Sequence, residues 1–379
     1  MCDYLRDLVM KIHATPHKVV LAITGGGAEA IGELLRHGQG SNTLLEAVVP
    51  YDQKSFEKFV RGKPDKHCSM DAANDLAMAA WLRAKELAGE EDAANADVPT
   101  PLLGVGVTCS LTKDNEREGR QHHAYVAIQD DDGTYNYEVD LTDKVRTRNE
   151  QESLVARCII QGLATTCGVK VTGITNFANG VSYGMSRDYI EVAKGHLDVA
   201  PEYVDRWDRV IFSGSFNPMH EQHEQIAAYV AKKTGKKVDL EVCIRNVDKP
   251  ALSHAVIARR RDHLIEKMYE KPWAGDLLFT SLPTFLAKCK AFPNATFVMG
   301  WDTFVRLGDP KYADLNEVVE TFKRRGTKFV VFHRIVNGVS SAEAASTLIY
   351  PPLLEFVEII PPAELPLVEI SSSIIRKGK

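Results

Sequence analysis

Arg209-Val210-Ile211-Phe212 reads as a short buried strand, and Gln225 to Lys233 reads as a helix with Ile226 and Tyr229-Val230 on one face. Between them, Ser213-Gly214-Ser215-Phe216-Asn217-Pro218-Met219-His220-Glu221-Gln222-His223 contains the glycine and the proline that interrupt both patterns. A strand running through a glycine turn into a helix is the building unit of an α/β sheet. It is also a ready-made anion site, because the first N–H groups of the helix have no intrahelical partner and its dipole favours negative charge there. His220 and His223 stand three residues apart and add two donors on the same side of the helix start.

The chain around this unit keeps the same alternation. Lys237 to Ile244 is a second strand, Leu252 to Met268 a loop and a basic helix, and Leu277 to Thr280 a third strand. Thr284 to Ala291 is a helix, Thr296 to Met299 and Thr327 to Phe332 are strands, and Phe356 to Ile360 is a last edge strand. Strands interleaved with helices predict a doubly wound parallel sheet, whose ligands sit at the carboxyl ends of the strands near the topological switch. The turn after Phe212 and Gly300-Trp301-Asp302 both follow strands and would converge on that edge.

The first half is also α/β. Asp3 to His13 is a polar helix, His17 to Thr24 a buried strand, and Gly25-Gly26-Gly27 breaks it and launches a helix through Leu35. Thr43 to Val49 is a strand, and Ser69 is an N-cap for a helix from Met70 to about Leu87. After an acidic loop from Glu90 to Pro101 come strands Leu102 to Cys109, His123 to Gln129 and Tyr135 to Leu141, then a helix from Glu150 to Thr166. Asp130-Asp131-Asp132-Gly133 is a hairpin turn. The expected division is a first domain over 1–168, a turn-rich connector over 169–208 and a second domain over 209–379.

Composition narrows the function classes. A formal net charge of −5 gives no general attraction to nucleic acid or to an anionic membrane, so any phosphate site must be local. Apolar runs such as Val19 to Ile23 are too short to span a bilayer, and Met1-Cys2-Asp3-Tyr4 opens without a leader-like apolar core. The seven cysteines are odd in number, scattered and without a C-x-x-C pair, which fits a reduced cytoplasmic interior rather than disulfides or a metal site.

Gly214-Ser215-Phe216-Asn217-Pro218-Met219-His220-Glu221-Gln222-His223 resembles the G-x-F-x-P-x-H-x-G-H signature of nucleotidylyltransferases, in particular nicotinamide and nicotinate mononucleotide adenylyltransferases. Ile370-Ser371-Ser372-Ser373-Ile374-Ile375-Arg376 is similar to that superfamily's I-S-S-T-x-x-R box, and Phe297 to Asp302 to its strand ending in G-x-D. One position departs from the pattern: Gln222 replaces the second glycine, where the family's helix start lies close to the nucleotide, and a side chain there narrows the pocket.

The first half resembles the CinA-like domain, whose active members deamidate nicotinamide mononucleotide. Thr24-Gly25-Gly26, Gly40-Ser41 and Tyr51 carry the likeness and form the candidate site of this half. In the active family a serine at the Ser41 position is the proposed nucleophile, and a lysine five residues after the tyrosine activates it. Phe56 holds that place here, and Thr108 to Lys113 lacks the glycines of the family's phosphate loop. The expected fold is therefore a CinA-like α/β domain without deamidase activity, followed by a Rossmann-like nucleotidylyltransferase domain.

By resemblance, the second half would adenylate a pyridine mononucleotide with ATP, in NAD biosynthesis or salvage. His220 and His223 would donate to the triphosphate, with Ser372, Ser373 and Arg376 on its β- and γ-phosphates. Asp302 would accept from ribose hydroxyls, Gly214, Ser215, Phe216 and Gly300 would line the nucleotide, and Lys249 is a lesser phosphate candidate. Mg2+ would arrive with ATP on the phosphates rather than in a protein cage. Plainer readings stay open: each histidine as a helix-start hydrogen-bonding residue, Asp302 and Ser372 as caps, and Arg259-Arg260-Arg261 as an exposed helix face or a phosphate contact. A protein that kept both folds and lost catalysis is the alternative function, and association into a homo-oligomer also stays open.

Overall fold

A computed structural model describes residues 2–95, 100–113, 121–141, 147–172, 178–184, 187–247, 250–332, 335–336, 339–340, 351–361, 363–365 and 372–377. Two compact units divide the chain, one of residues 1–185 with 248–258 and one of 186–247 with 259–379.

The first unit contains α1 (Cys2–His13), β1 (Lys18–Thr24), α2 (Glu29–Arg36), β2 (Leu44–Val48), α3 (Gln53–Val60), α4 (Met70–Asn95), β3 (Leu102–Ser110), β4 (His123–Gln129), β5 (Gly133–Asp140), α5 (Arg148–Thr166) and β6 (Ala178–Gly184). Its sheet runs β2-β1-β3-β4-β5-β6, parallel across β2, β1 and β3 and antiparallel beyond. The unbroken apolar run of β1 is buried on both faces. Val19, Leu21 and Ile23 join a core that includes residues of α1, α2 and α5, while Val20 and Ala22 pack with Phe56 and the alanine-rich face of α4. Gly104 and Gly106 let α4 lie directly on β3, since a Cβ at Gly104 would come within 2.2 Å of Ala77 O and Trp81 N. Thr147 and Glu150 form a capping box that starts α5.

Three expectations for this part change. α4 continues to Asn95 past a non-helical Gly89, in place of an acidic loop from Glu90. The stretch 169–208 is not a free connector, because β6 adds to the edge of the first sheet and 199–200 pair in the second. Residues 248–258 pack with the first unit, where the N–H groups of His254 and Ala255 donate to Gln129 Oε1 at 3.4 Å and Thr134 Oγ1 at 3.1 Å.

The second unit contains α6 (Arg187–Lys194), β7 (Val199–Ala200), β8 (Val210–Ser213), α7 (Glu221–Thr234), β9 (Val238–Cys243), α8 (His254–Met268, of which 254–258 count with the first unit), β10 (Ala274–Thr280), α9 (Phe285–Ala291) and β11 (Thr296–Gly300). α10 (Trp301–Val305), α11 (Leu315–Arg325), β12 (Lys328–Phe332), a small hairpin of β13 (Ile335–Val336) and β14 (Val339–Ser340), β15 (Val357–Ile360) and α12 (Ser372–Lys377) follow. The seven-stranded sheet runs β15-β12-β11-β8-β9-β10-β7 and is parallel except for β7. Chain order reverses between β8 and β11, so this is a doubly wound sheet with its switch at that pair. One face buries Ile211, Phe297, Met299, Phe329 and Val331 with Phe292 and Phe322. At the amino ends of the strands, Arg209 bridges Asp239 at 2.7 and 2.8 Å and also reaches Asp276.

Candidate functional site

The turn after β8 is shaped by its aromatic residue. Phe216 is fully buried in a left-handed conformation with φ 43°, and its ring packs edge-on to Phe212 and His223 at centroid distances of 5.2 and 5.1 Å. A bulky residue held there stores roughly 1–3 kcal/mol of backbone strain, which the surrounding packing must hold in place. Gly214 is required beneath it, because a Cβ would lie 2.6 Å from Phe216 Cζ. The Gly214 N–H donates to Glu241 O at 3.0 Å, joining the turn to the carboxyl end of β9.

Three side chains from distant segments hold the carbonyls of this turn. Arg260 Nη1 on α8 donates to Ser215 O at 3.2 Å and to Ser215 Oγ at 3.4 Å. Ser372 Oγ donates to Pro218 O at 2.9 Å, and Arg376 Nη1 donates to Asn217 O. Ser372 and Arg376 are four residues apart on α12 and so share one helix face. Ser373 is in the same short helix, with its side chain outside the described part.

α7 begins at Glu221, four residues before the expected Gln225, with His220 as its N-cap in an extended conformation. Glu221, Gln222 and His223 are polar and lack the apolar periodicity by which the start of a helix is recognised in sequence. His223 Nδ1 accepts from the His220 N–H at 3.3 Å, which leaves the ring proton on Nε2, and the two rings lie tilted by 30° with centroids 3.8 Å apart. Gln222 is 7% exposed and lies on the same helix face as Ile226 and Val230, so its side chain fills room that a glycine would leave.

Gly300 ends β11 across the switch from this turn, and a Cβ on it would meet nothing within 4 Å. Asp302 follows in the first turn of α10, its side chain outside the described part; Lys249 lies outside the described residues altogether. The structure therefore brings Gly214, Ser215, Phe216, His220, His223, Ser372 and Arg376 to one turn at the switch, next to the strand that ends in Gly300.

The sequence alone does not single out Arg260 within Arg259-Arg260-Arg261. Val256 and Leu264 are buried at −4 and +4 from it, whereas Arg259 is exposed; that spacing is the signal that marks it. Beneath the turn, the buried Glu241 carboxylate accepts from Lys288 Nζ at 2.7 Å and from Thr280 Oγ1 at 2.5 Å, tying β9 to β10 and α9.

The candidate site of the first unit does not assemble. Thr24, Gly25 and Gly26 lie at the carboxyl end of β1, and exposed Tyr51 follows the carboxyl end of β2. Ser41 precedes β2 and sits at the opposite, amino edge of the parallel pair, where Lys18 Nζ donates to its backbone carbonyl at 3.0 Å. The seven residues of β1 separate the two edges by about 23 Å. The glycine turn is also filled from within: the Glu152 carboxylate accepts from the N–H groups of Gly27 at 2.8 Å and Glu29 at 3.2 Å. Arg148 and Gln151, from the same turn of α5, hold Thr112 O and Thr112 N. Phe56, in the place of the activating lysine, is a core residue against His67.

Six described cysteines are free thiols, and burial pushes Cys243 up to about 11 and Cys167 and Cys289 to about 12. Among the described residues, no helix is long and apolar enough to cross a membrane.

Fold and site together define a mixed α/β protein whose second unit carries an anion-ready turn at the switch of a doubly wound sheet. Residues 211–378 match the cytidylyltransferase-like family, which supports a nucleotidylyltransferase activity for this region. No curated protein matches the chain. Solved structures similar to its N-terminal part include the competence/damage inducible protein CihA from Agrobacterium tumefaciens, at 13% identity and a TM-score of 0.34, covering 43% of this chain and 95% of that one. A CinA superfamily protein from Klebsiella pneumoniae is similar at 9% identity, TM-score 0.34, over 44% of this chain and 98% of that one. Another from Escherichia coli is similar at 13% identity, TM-score 0.32, over 44% and 91%.

Proposed function

We propose that the second unit transfers the adenylyl group of ATP to a pyridine mononucleotide. The carrying observation is that Ser372 and Arg376, from a helix 154 and 159 residues away in sequence, close on the motif turn beside His220 and His223. In the reaction a phosphate oxygen of the mononucleotide attacks the α-phosphorus of ATP. The bond to the β-phosphate breaks and pyrophosphate leaves. Such chemistry asks the protein for positioning and charge stabilisation more than for covalent work.

Imidazole, hydroxyl and guanidinium donors suit that chemistry, and among the described residues no group of three or more His, Cys, Asp or Glu is placed to hold a metal ion. Mg2+ would accordingly be held by phosphate oxygens, where it neutralises their charge. His223, with its proton on Nε2, is a donor toward the α-phosphate; Arg376 would exchange its backbone acceptor for phosphate oxygens in bidentate geometry. Lys249 and Asp302 remain proposed contacts to phosphate and ribose, in a cytoplasmic enzyme of NAD biosynthesis or salvage.

The buried Gln222 favours a second reading, a nucleotide-binding protein that has lost turnover. Incubating the protein with ATP, magnesium and either nicotinamide or nicotinate mononucleotide, and assaying for the dinucleotide, separates the two. Dinucleotide formation supports the enzyme, and binding of ATP without product supports the decayed form.

A further inference from the structure

Arg245 lies two residues beyond β9, at the carboxyl edge of the seven-stranded sheet. Its Nη2 donates to Ala193 O at 2.7 Å, while its Nε is shut off from solvent and has no acceptor among the described residues. Gly195 packs close to the same guanidinium, since a Cβ there would stand 3.0 Å from Nη1. Among the described residues no carboxylate is paired with Arg245, and burial alone shifts it, downward. Arg209 at the other end of the sheet is the contrast, with two aspartates on one guanidinium. A cation with one neutral acceptor and an orphaned donor is expensive to keep unless something else completes it.

α6 does not need this arginine as its cap. The helix is already ended by Gly195 at φ 84°, with the Gly195 N–H on Val192 O at 3.1 Å and the His196 N–H on Glu191 O at 2.9 Å. Strand order supplies the direction: β11-β8-β9 puts Gly300 on one side of the motif turn and Arg245 on the other. Neighbouring strands are only about 4.8 Å apart, so the end of β9 faces the side of the turn away from Gly300.

We propose that Arg245 is a specificity-determining residue that binds an anionic group, phosphate or carboxylate, of the acceptor nucleotide. This rests on the adenylyl-transfer reading and assigns its second substrate to the β9 side of the site. ATP is assigned to the side of the turn next to Gly300. The anion adds a charged acceptor at the more accessible part of this half-buried guanidinium, and selection between acceptors follows from which of them can supply it.

Calorimetric titration of the full chain tests this, with wild type and Arg245→Met each measured against nicotinate mononucleotide, nicotinamide mononucleotide, nicotinamide riboside and ATP with magnesium. Arg245→Met is expected to weaken mononucleotide binding about 10- to 100-fold, the usual worth of a hydrogen bond to a charged group. ATP binding and the thermal midpoint are expected to hold, because an underpaired buried charge gives way to an apolar chain of similar length. Equal losses for both mononucleotides, with weak riboside binding in wild type, assign the phosphate; a loss confined to the nicotinate form assigns its carboxylate. Unchanged mononucleotide affinity with a lowered midpoint overturns the inference and makes Arg245 a support for α6. Wild type that binds ATP and neither mononucleotide overturns the acceptor reading and this inference with it. Should Arg245→Met fail to fold, Arg245→Lys keeps the charge without the fork; unchanged mononucleotide affinity there also overturns the proposal.

Discussion

Arg376 donates to the carbonyl oxygen of Asn217 across 159 residues of sequence, and this contact binds the C-terminal serine–arginine box to the glycine turn. In the proposed reaction this guanidinium would contact the outer phosphates of the triphosphate. Arg376→Ala and His223→Ala are each expected to lower adenylyl transfer by roughly 10²-fold or more, the usual effect of removing one donor aimed at developing charge. Steady-state kinetics together with circular dichroism check this: turnover should fall while the folded spectrum persists. Unchanged turnover in either variant would remove these residues from the site.

Gln222 is buried where the motif would have glycine. Crowding in a filled site typically costs ~1–3 kcal/mol, so Gln222→Gly is expected to tighten ATP binding by about 5- to 150-fold. Calorimetry with ATP and magnesium on both forms measures it. Equal affinities would show that the glutamine is accommodated beside the nucleotide.

The first unit is expected to release no ammonia from nicotinamide mononucleotide above background. Ser41 and the glycine turn lie at opposite edges of the sheet, and Glu152 already occupies the turn's donors. Ammonia release that disappears in Ser41→Ala would contradict this. Glu152→Ala should lower the thermal midpoint, since it leaves two half-buried N–H groups without their acceptor.

The strand–helix alternation of the second half is legible in sequence because its apolar runs are strong and both faces of the sheet are covered. β6 is not: Ala178-Asn179-Gly180 carries turn residues, and only pairing with β5 makes a strand of it. α11 is legible as well: Leu315, Val318, Val319 and Phe322 fall at i, i+3, i+4 and i+7 between the Asp314 cap and the Gly326 stop. The residues of the second site are readable from three separate boxes, but neither Arg260's contact with Ser215 nor the separation of Ser41 from Thr24 is local. The first depends on which face of α8 is buried, the second on the register of β1 with β2.

His13 provides a pH test of the first unit. Its Nε2 faces Leu34 O and its Nδ1 faces Thr43 Oγ1, both at 2.9 Å, and burial lowers its pKa below 6.5. The unfolded chain therefore binds a proton that the folded chain resists. Stability should be full above pH 6.5 and fall as the pH drops from there toward the folded pKa. Thermal midpoints measured from about pH 7.5 down to about 5 should show that loss, with a shallower slope in His13→Gln. Equal slopes in the two proteins would contradict it.

Adenylyl transfer itself is tested most directly by pyrophosphate release from ATP and magnesium, followed with and without nicotinamide or nicotinate mononucleotide. The expected result is release that requires a mononucleotide, forms dinucleotide in equal amount and falls roughly 10²-fold or more in His223→Ala. Absence of mononucleotide-dependent release, in wild type and in Gln222→Gly alike, would contradict it.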